Sequence, residues 1–240
     1  MEVSRQRTRC IAFDAVGTLI YAQPSVAQAY AMVGREFGSQ VTEDEAKQRF
    51  GPAIRAADAE TERLFGEPGR TNEELEFAFW RRVVQDILPD VNNPQECFDR
   101  LYEHFAQPQS WRCFEDVDAT LTELHRCGIQ VLIASNFDER LNRVCDGLPE
   151  LQQVSCRVIS SKVGFRKTHR GFYESVLAAA NCELSEVLMV GDDFINDVQS
   201  ARACGIRSVH LRRESDPRPI GGGADWIEIQ SLTELLEFVP

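Results

Sequence analysis

The chain has 240 residues, enough for one α/β domain of ordinary size and a smaller insert, and its 43% apolar content can fill a substantial core. A net charge of −12 excludes the surplus of lysine and arginine that a nucleic-acid backbone demands. No apolar stretch approaches the ~20 residues of a bilayer span, and neither a membrane nor a signal peptide is expected from the polar start "MEVSRQRTRC".

In chain order the first element is "CIAFD", a strand over residues 10–13 that ends abruptly on Asp14, with Gly17 and Thr18 close behind. From Pro24 to about Pro108 no strand signal appears, and start signals predict four helices. One follows Pro24 and stops at Gly38. The second and third open with capping boxes at Thr42-Glu43-Asp44-Glu45 and Thr71-Asn72-Glu73-Glu74. The fourth opens with Asn93 as cap and Pro94 in the first helical position. "GEPGRTN", residues 66–72, reads as a turn within this block. "FAFWRRVV", residues 77–84, reads as packing inside it. Arg49, Arg55, Arg81 and Arg82 could meet a substrate, but solvated faces are the default for arginine.

After Pro108 strands and helices alternate. "VLIASN" (131–136), "CRVIS" (156–160), "VLMVGDD" (187–193), "RSVHL" (207–211) and "WIEI" (226–229) are strand candidates. Continuous rather than alternating apolar runs predict strands buried on both faces, as in a parallel sheet covered by helices. Gly128 and Gly205 are placed to end the helices "DVDATLTELHRCG" and "DVQSARACG". Residues 212–225 read as a flexible surface loop without assigned function. The eight cysteines scatter singly with no C-x-x-C pair, which predicts a reduced, cytoplasmic protein without a zinc site.

In an open parallel sheet, ligands bind at the carboxyl ends of the strands. Four polar sets fall there: Asp14 with Gly17 and Thr18, Ser135 with Asn136, Lys167, and Asp192 with Asp193 and Asp197. Aspartates clustered at buried strand ends repel one another, and a divalent cation removes that cost. Hard oxygen ligands without histidine or cysteine point to Mg2+. Lys167 would balance remaining charge, Ser135 would offer a hydroxyl to a phosphate oxygen, and a carboxylate would serve as nucleophile, which together suit phosphoryl transfer. Other readings of single residues stay open. Asp14 alone could cap a turn, Ser135 could be an N-cap, and Asp193 and Asp197 could be acids at a helix start. Lys162 reads as a solvated loop lysine.

The order Asp14-x-Val16-Gly17-Thr18, Ser135-Asn136, Lys167, then Gly191-Asp192-Asp193-x-x-Asn196-Asp197 resembles the haloacid dehalogenase (HAD) superfamily of hydrolases. "SNFDERL", residues 135–141, and "FAFWRRVV" look like one subgroup of it. The resemblance implies a Rossmann-like three-layer α/β core with a parallel sheet, residues 1–22 and 109–240, and an inserted α-helical C1 cap, residues 23–108. The Asp14 strand should then lie between those of Val131 and Val187. The resemblance further implies Asp14 as the nucleophile that becomes an aspartyl–phosphate and Thr18 as a support for the loop. It implies Ser135, Asn136 and Lys167 as phosphate-binding groups, Asp14, the Val16 carbonyl and Asp192 as magnesium ligands, and Asp193 and Asp197 as outer carboxylates. The proline that follows the lysine in the family is Thr168 here.

Val16 is the departure of consequence. Most phosphatases of the family carry an aspartate there, as acid for the leaving group and then base for water. Loss of such a group typically costs ~10² to 10⁴ in rate. The leading expectation is a magnesium-dependent phosphatase of a small phosphorylated metabolite. The alternative is a binding or regulatory protein on a hydrolase fold. A dehalogenase needs no metal, and a phosphonate hydrolase would need a cap lysine, for which Lys47 in "TEDEAKQRF" is a poor candidate.

Overall fold

The apolar runs form a parallel sheet whose central runs, residues 10–13, 131–135 and 187–191, are buried on both faces. The computed structural model describes residues 8–154, 156–213, 222–223 and 226–237. β1 (Cys10–Phe13) is flanked by β4 (Gln130–Ser135) and β6 (Val187–Gly191), both parallel to it. β5 (Cys156–Ile159) extends the sheet beyond β4, and β7 (Arg207–Leu211) and β9 (Trp226–Ile229) extend it beyond β6. β8 (Gly222–Gly223) adds an antiparallel edge. Most of the loop expected over residues 212–225 lies outside the described residues.

Alternation along the strands builds the three layers. Ile11 and Phe13 of β1 join one apolar cluster with Val131 and Ile133 of β4, Leu188 and Val190 of β6, and Leu121 of α5 (Val117–Arg126). Cys10 and Ala12 face the opposite way. They join Leu132, Ala134 and Met189, with Phe172 and Val176 of α8 (Arg170–Ala180). The Rossmann-like parallel core is therefore as expected, with β1 central. The glycine expected to end α5, Gly128, has φ +73°, a left-handed conformation that a side chain disfavours.

Between β1 and β4 the chain leaves the sheet. β2 (Ile20–Ala22) and β3 (Trp111–Cys113) pair antiparallel, so the outgoing and returning passes are zipped together. Neither strand shows in the sequence, because three residues are too few to show a period. Beyond this ribbon come four helices, α1 (Val26–Glu36), α2 (Glu43–Phe65), α3 (Glu73–Ile87) and α4 (Pro94–His104). They share their own apolar cluster, in which Phe79, Val83, Val84, Ile87 and Phe98 are buried. The run at residues 77–84 is thus packing, as read.

Thr42 forms its expected capping box, and Asn93 caps α4. The third helix differs. Asn72 alone caps α3, accepting from Leu75 N at 2.8 Å, while Thr71 Oγ1 donates to Glu76. Ser25, not singled out from the sequence, makes a capping box with Gln28 on α1. Arg49 donates to Ile87 O at 2.9 Å, and Arg82 pairs with Asp86 and Glu60, so both hold helices together. Among the described residues, no helix is long and apolar enough to cross a membrane.

Candidate active site at the strand ends

The carboxyl ends of β4, β1 and β6 bring Ser135, Asp14 and Asp192 side by side. Asp14 follows β1 directly and is 8% exposed. Ser135 Oγ donates to Asp14 Oδ1 at 3.1 Å. Helix α6 (Arg140–Asp146) begins only five residues further on with Glu139 in the capping position, so Ser135 is not an N-cap. Its hydroxyl is committed to the nucleophile candidate instead.

Lys167 is fully buried, and its ammonium donates to Asp14 Oδ1 and to Asp197 Oδ1, the latter at 2.6 Å. Burial alone would favour neutral lysine. The charges of Asp14 and Asp197 outweigh it and hold Lys167 above its ordinary range, so it remains an ammonium. Asn136 does not point its acceptor at the cleft; its Oδ1 receives Lys167 N at 2.8 Å and so fixes the lysine's backbone. Lys162 lies not in a loop but in the short helix α7 (Ser160–Val163), where it pairs with Glu139 at 2.6 Å and Glu73 at 3.6 Å.

Thr18 and Asp192 bind each other twice. Thr18 Oγ1 donates to Asp192 Oδ1 at 3.0 Å and accepts from Asp192 N at 3.1 Å. This close approach dictates Gly17, which has φ +91°. A Cβ there would stand 2.3 Å from Asp192 Oδ2. Gly191 is required in the same way, because a Cβ would meet Asp197 Oδ2 at 2.0 Å. After Gly191 the chain makes one wide π-helical turn, Phe194–Gln199, whose cap is Asp193. The Asp193 carboxylate accepts from Ile195 N, Asn196 N and Asn196 Nδ2, so the helix-start reading describes what it does here. Asp197 instead turns inward, 1% exposed, and its Oδ2 accepts from Asp193 N at 3.1 Å.

Asp14, Asp192 and Asp197 each place a carboxylate oxygen within 4.8 Å of the others. Three carboxylates against the single ammonium of Lys167 leave a formal charge of −2. The electrostatics register this excess. Asp192 is exposed at the rim, yet desolvation of its carboxylate and then the charge of Asp14 push it up to about 6. Burial, in spite of Lys167, raises Asp197 as well. A divalent cation with a preference for hard oxygen fits this donor set. Asp14 and Asp192 are the groups placed to hold it, since both Asp197 oxygens already carry hydrogen bonds. Val16, two residues after Asp14, is 37% exposed and offers only hydrocarbon from its side chain.

Supporting residues went unread in the sequence. His210 Nε2 donates to Asp192 O at 3.1 Å from the neighbouring β7, and its signal was only a histidine inside an apolar strand. The Tyr173 hydroxyl donates to Asn196 O, and Arg213 Nη2 donates to Thr18 O at 2.7 Å. A cavity of about 540 Å³ lies against Phe194, His210 and Trp226, on the side of Asp192 away from Ser135.

Comparison with known proteins agrees with this architecture. A model of the haloacid dehalogenase-like hydrolase family matches residues 8–205. The haloacid dehalogenase-like hydrolase domain-containing protein 3 of Mus musculus is 28% identical over 209 residues, covering 85% of this chain and 82% of its own. Among solved structures, a dehalogenase with an intermediate complex superposes with a TM-score of 0.73 at 18% identity over 97% of each chain. A HAD phosphatase from Thermococcus onnurineus gives 0.66 at 21% identity, over 96% of this chain and 97% of its own. At such identities the two structures share the fold and do not choose between their activities.

Proposed function

Since the chain belongs to the haloacid dehalogenase-like hydrolases, we propose that it is a magnesium-dependent phosphatase of a small phosphorylated metabolite, acting through an aspartyl–phosphate on Asp14. The observation that carries this reading is the convergence of Asp14, Asp192 and Asp197 on one buried ammonium beside the Ser135 hydroxyl. A halide-releasing enzyme also needs a nucleophilic carboxylate but no metal, and the gathering of Asp14, Asp192 and Asp197 into a set that could hold a cation favours the metal-dependent reaction.

In this mechanism Asp14 attacks phosphorus, an Asp14 O–P bond forms, and the ester O–P bond breaks. The leaving oxygen takes its proton from water, because Val16 has none to give. Water then attacks phosphorus, releasing inorganic phosphate and the Asp14 carboxylate. Lys167 stays charged throughout and offsets the equatorial oxygens, while Ser135 shifts its hydrogen bond from Asp14 to one of them. Asp14, Asp192 and the Val16 carbonyl would hold the magnesium ion, which when bound supplies the positive charge that lets a phosphate approach an acidic site. The reading carries with it a cytoplasmic protein with no nucleic-acid or membrane partner, supported by scattered thiols and a net charge of −12.

The exposed valine favours one second reading, a fold retained for binding after loss of its acid–base group. Purified protein incubated with nitrophenyl phosphate, with and without magnesium, separates the two. Phosphate release that requires magnesium supports the enzyme. No release at any magnesium concentration leaves the binding protein.

A further inference from the structure

Arg166 is attached to the sheet side of the molecule, but its guanidinium lies among the cap helices. Its Nη1 donates to Asp58 Oδ1 on α2 at 2.6 Å, and its Nε donates to Glu76 Oε1 on α3 at 3.0 Å. The guanidinium carbon also stands 4.5 Å from the ring centre of Phe79. Glu76 is 4% exposed and receives Thr71 Oγ1 on the same oxygen at 2.6 Å. The backbones run together too. Arg166 N donates to Gly69 O at 2.7 Å, and Thr71 N donates to Gly164 O at 3.1 Å.

The next residue is Lys167. Its amide is held by Asn136, and its ammonium by Asp14 and Asp197. One peptide unit therefore separates a side chain clamped by the cap from the side chain that neutralises the nucleophile. We propose that Arg166 is a positioning residue: gripped by Asp58 and Glu76, it fixes the backbone from which Lys167 reaches Asp14. Seating of the cap and placement of the lysine then become one event. The consequence for turnover rests on the phosphatase reading above; the placement of the ammonium does not.

Removing Arg166 alone would strand a buried carboxylate at Glu76 and unfold the protein for trivial reasons. The double variant Arg166→Met/Glu76→Gln leaves no buried charge and keeps an acceptor for Thr71. Its Tm should return close to wild type, while kcat on nitrophenyl phosphate falls by about 10²-fold with KM little changed. Arg166→Lys keeps the charge without the fork and should recover part of that loss. Placement is read separately by NMR. The only lysines are Lys47, Lys162 and Lys167, so labelling at lysine Cε gives three signals, assigned through Lys47→Arg and Lys162→Arg. In the double variant the Lys167 signal should leave its wild-type position while that of Lys47 stays. A Lys167 signal that does not move, or a kcat that recovers together with Tm, overturns the proposal. Should the wild type hydrolyse no ester, the phosphatase reading falls, and the Lys167 signal alone decides the role of Arg166.

Discussion

The two halves of the molecule bury different things. At the strand ends of the sheet, Asp14, Asp197 and Lys167 are all nearly out of solvent, with Ser135 and Thr18 beside them. The cap buries rings and aliphatic chains, and among the described residues its one buried carboxylate, Glu76, is aimed at an arginine of the sheet side. Taking charge out of water is expensive unless it is paired, and a fold keeps it there only where surrounding structure enforces it. The candidate site therefore belongs to the sheet. The cap contributes packing and the grip on Arg166.

Substitutions on the two sides should fall apart in what they change. Asp14→Asn, which removes the proposed nucleophile, should take turnover below detection while the protein remains folded by circular dichroism. Val16→Asp places an acid beside the proposed leaving group and should raise turnover on alkyl phosphates by ~10²-fold or more, with a smaller gain on nitrophenyl phosphate, which needs little acid help. No gain on either ester would show that position 16 is not where the missing proton transfer occurs. In the cap, Phe98→Ala opens a cavity in a fully buried site and should cost about 3–5 kcal/mol of stability, seen as a lower denaturant midpoint. Its kcat at a temperature where it is folded should stay near wild type. A large loss of kcat there would break the division between the halves.

The smallest effect concerns pH. Asp192 is raised to about 6 in the folded protein, above the ~3.9 of an unfolded chain. Its contribution is fully present below the unfolded value and is lost as pH rises through about 6. Metal-free protein should therefore melt at lower temperature at pH 8 than at pH 5, and Asp192→Asn should flatten that fall. Magnesium should raise the wild-type Tm at pH 8 by binding only the folded state, and the same variant should lose that rise. An equal slope and an equal magnesium response in the variant would contradict the charge account.

Much of this was legible in the chain because the relevant signals are local. Apolar runs of four to six residues ending on Asp14, Ser135 and Asp192 report both strand and site, since burial on two faces leaves a strand's polar residues only at its end. Gly17 and Gly191 carried their meaning less openly; only coordinates reveal which carboxylate occupies the space of the missing side chain. What the sequence hid are partnerships between distant segments. Arg166 with Glu76 spans 90 residues, and His210 with Asp192 depends on which strands become neighbours. Ser135 and Asp193 were each open to a capping reading, and local pattern could not separate them. Tertiary contact gave the cap to Asp193 and the Asp14 carboxylate to Ser135.

Transfer of phosphorus to Asp14 would be seen by rapid-quench labelling with a radioactive phosphate donor. Wild-type protein with magnesium should show acid-stable label that accumulates, because no carboxylate at position 16 activates water for its breakdown. Asp14→Asn should take up none, and in Val16→Asp the label should disappear faster. Wild-type protein that takes up no label from any donor, or label that persists in Asp14→Asn, would contradict the account.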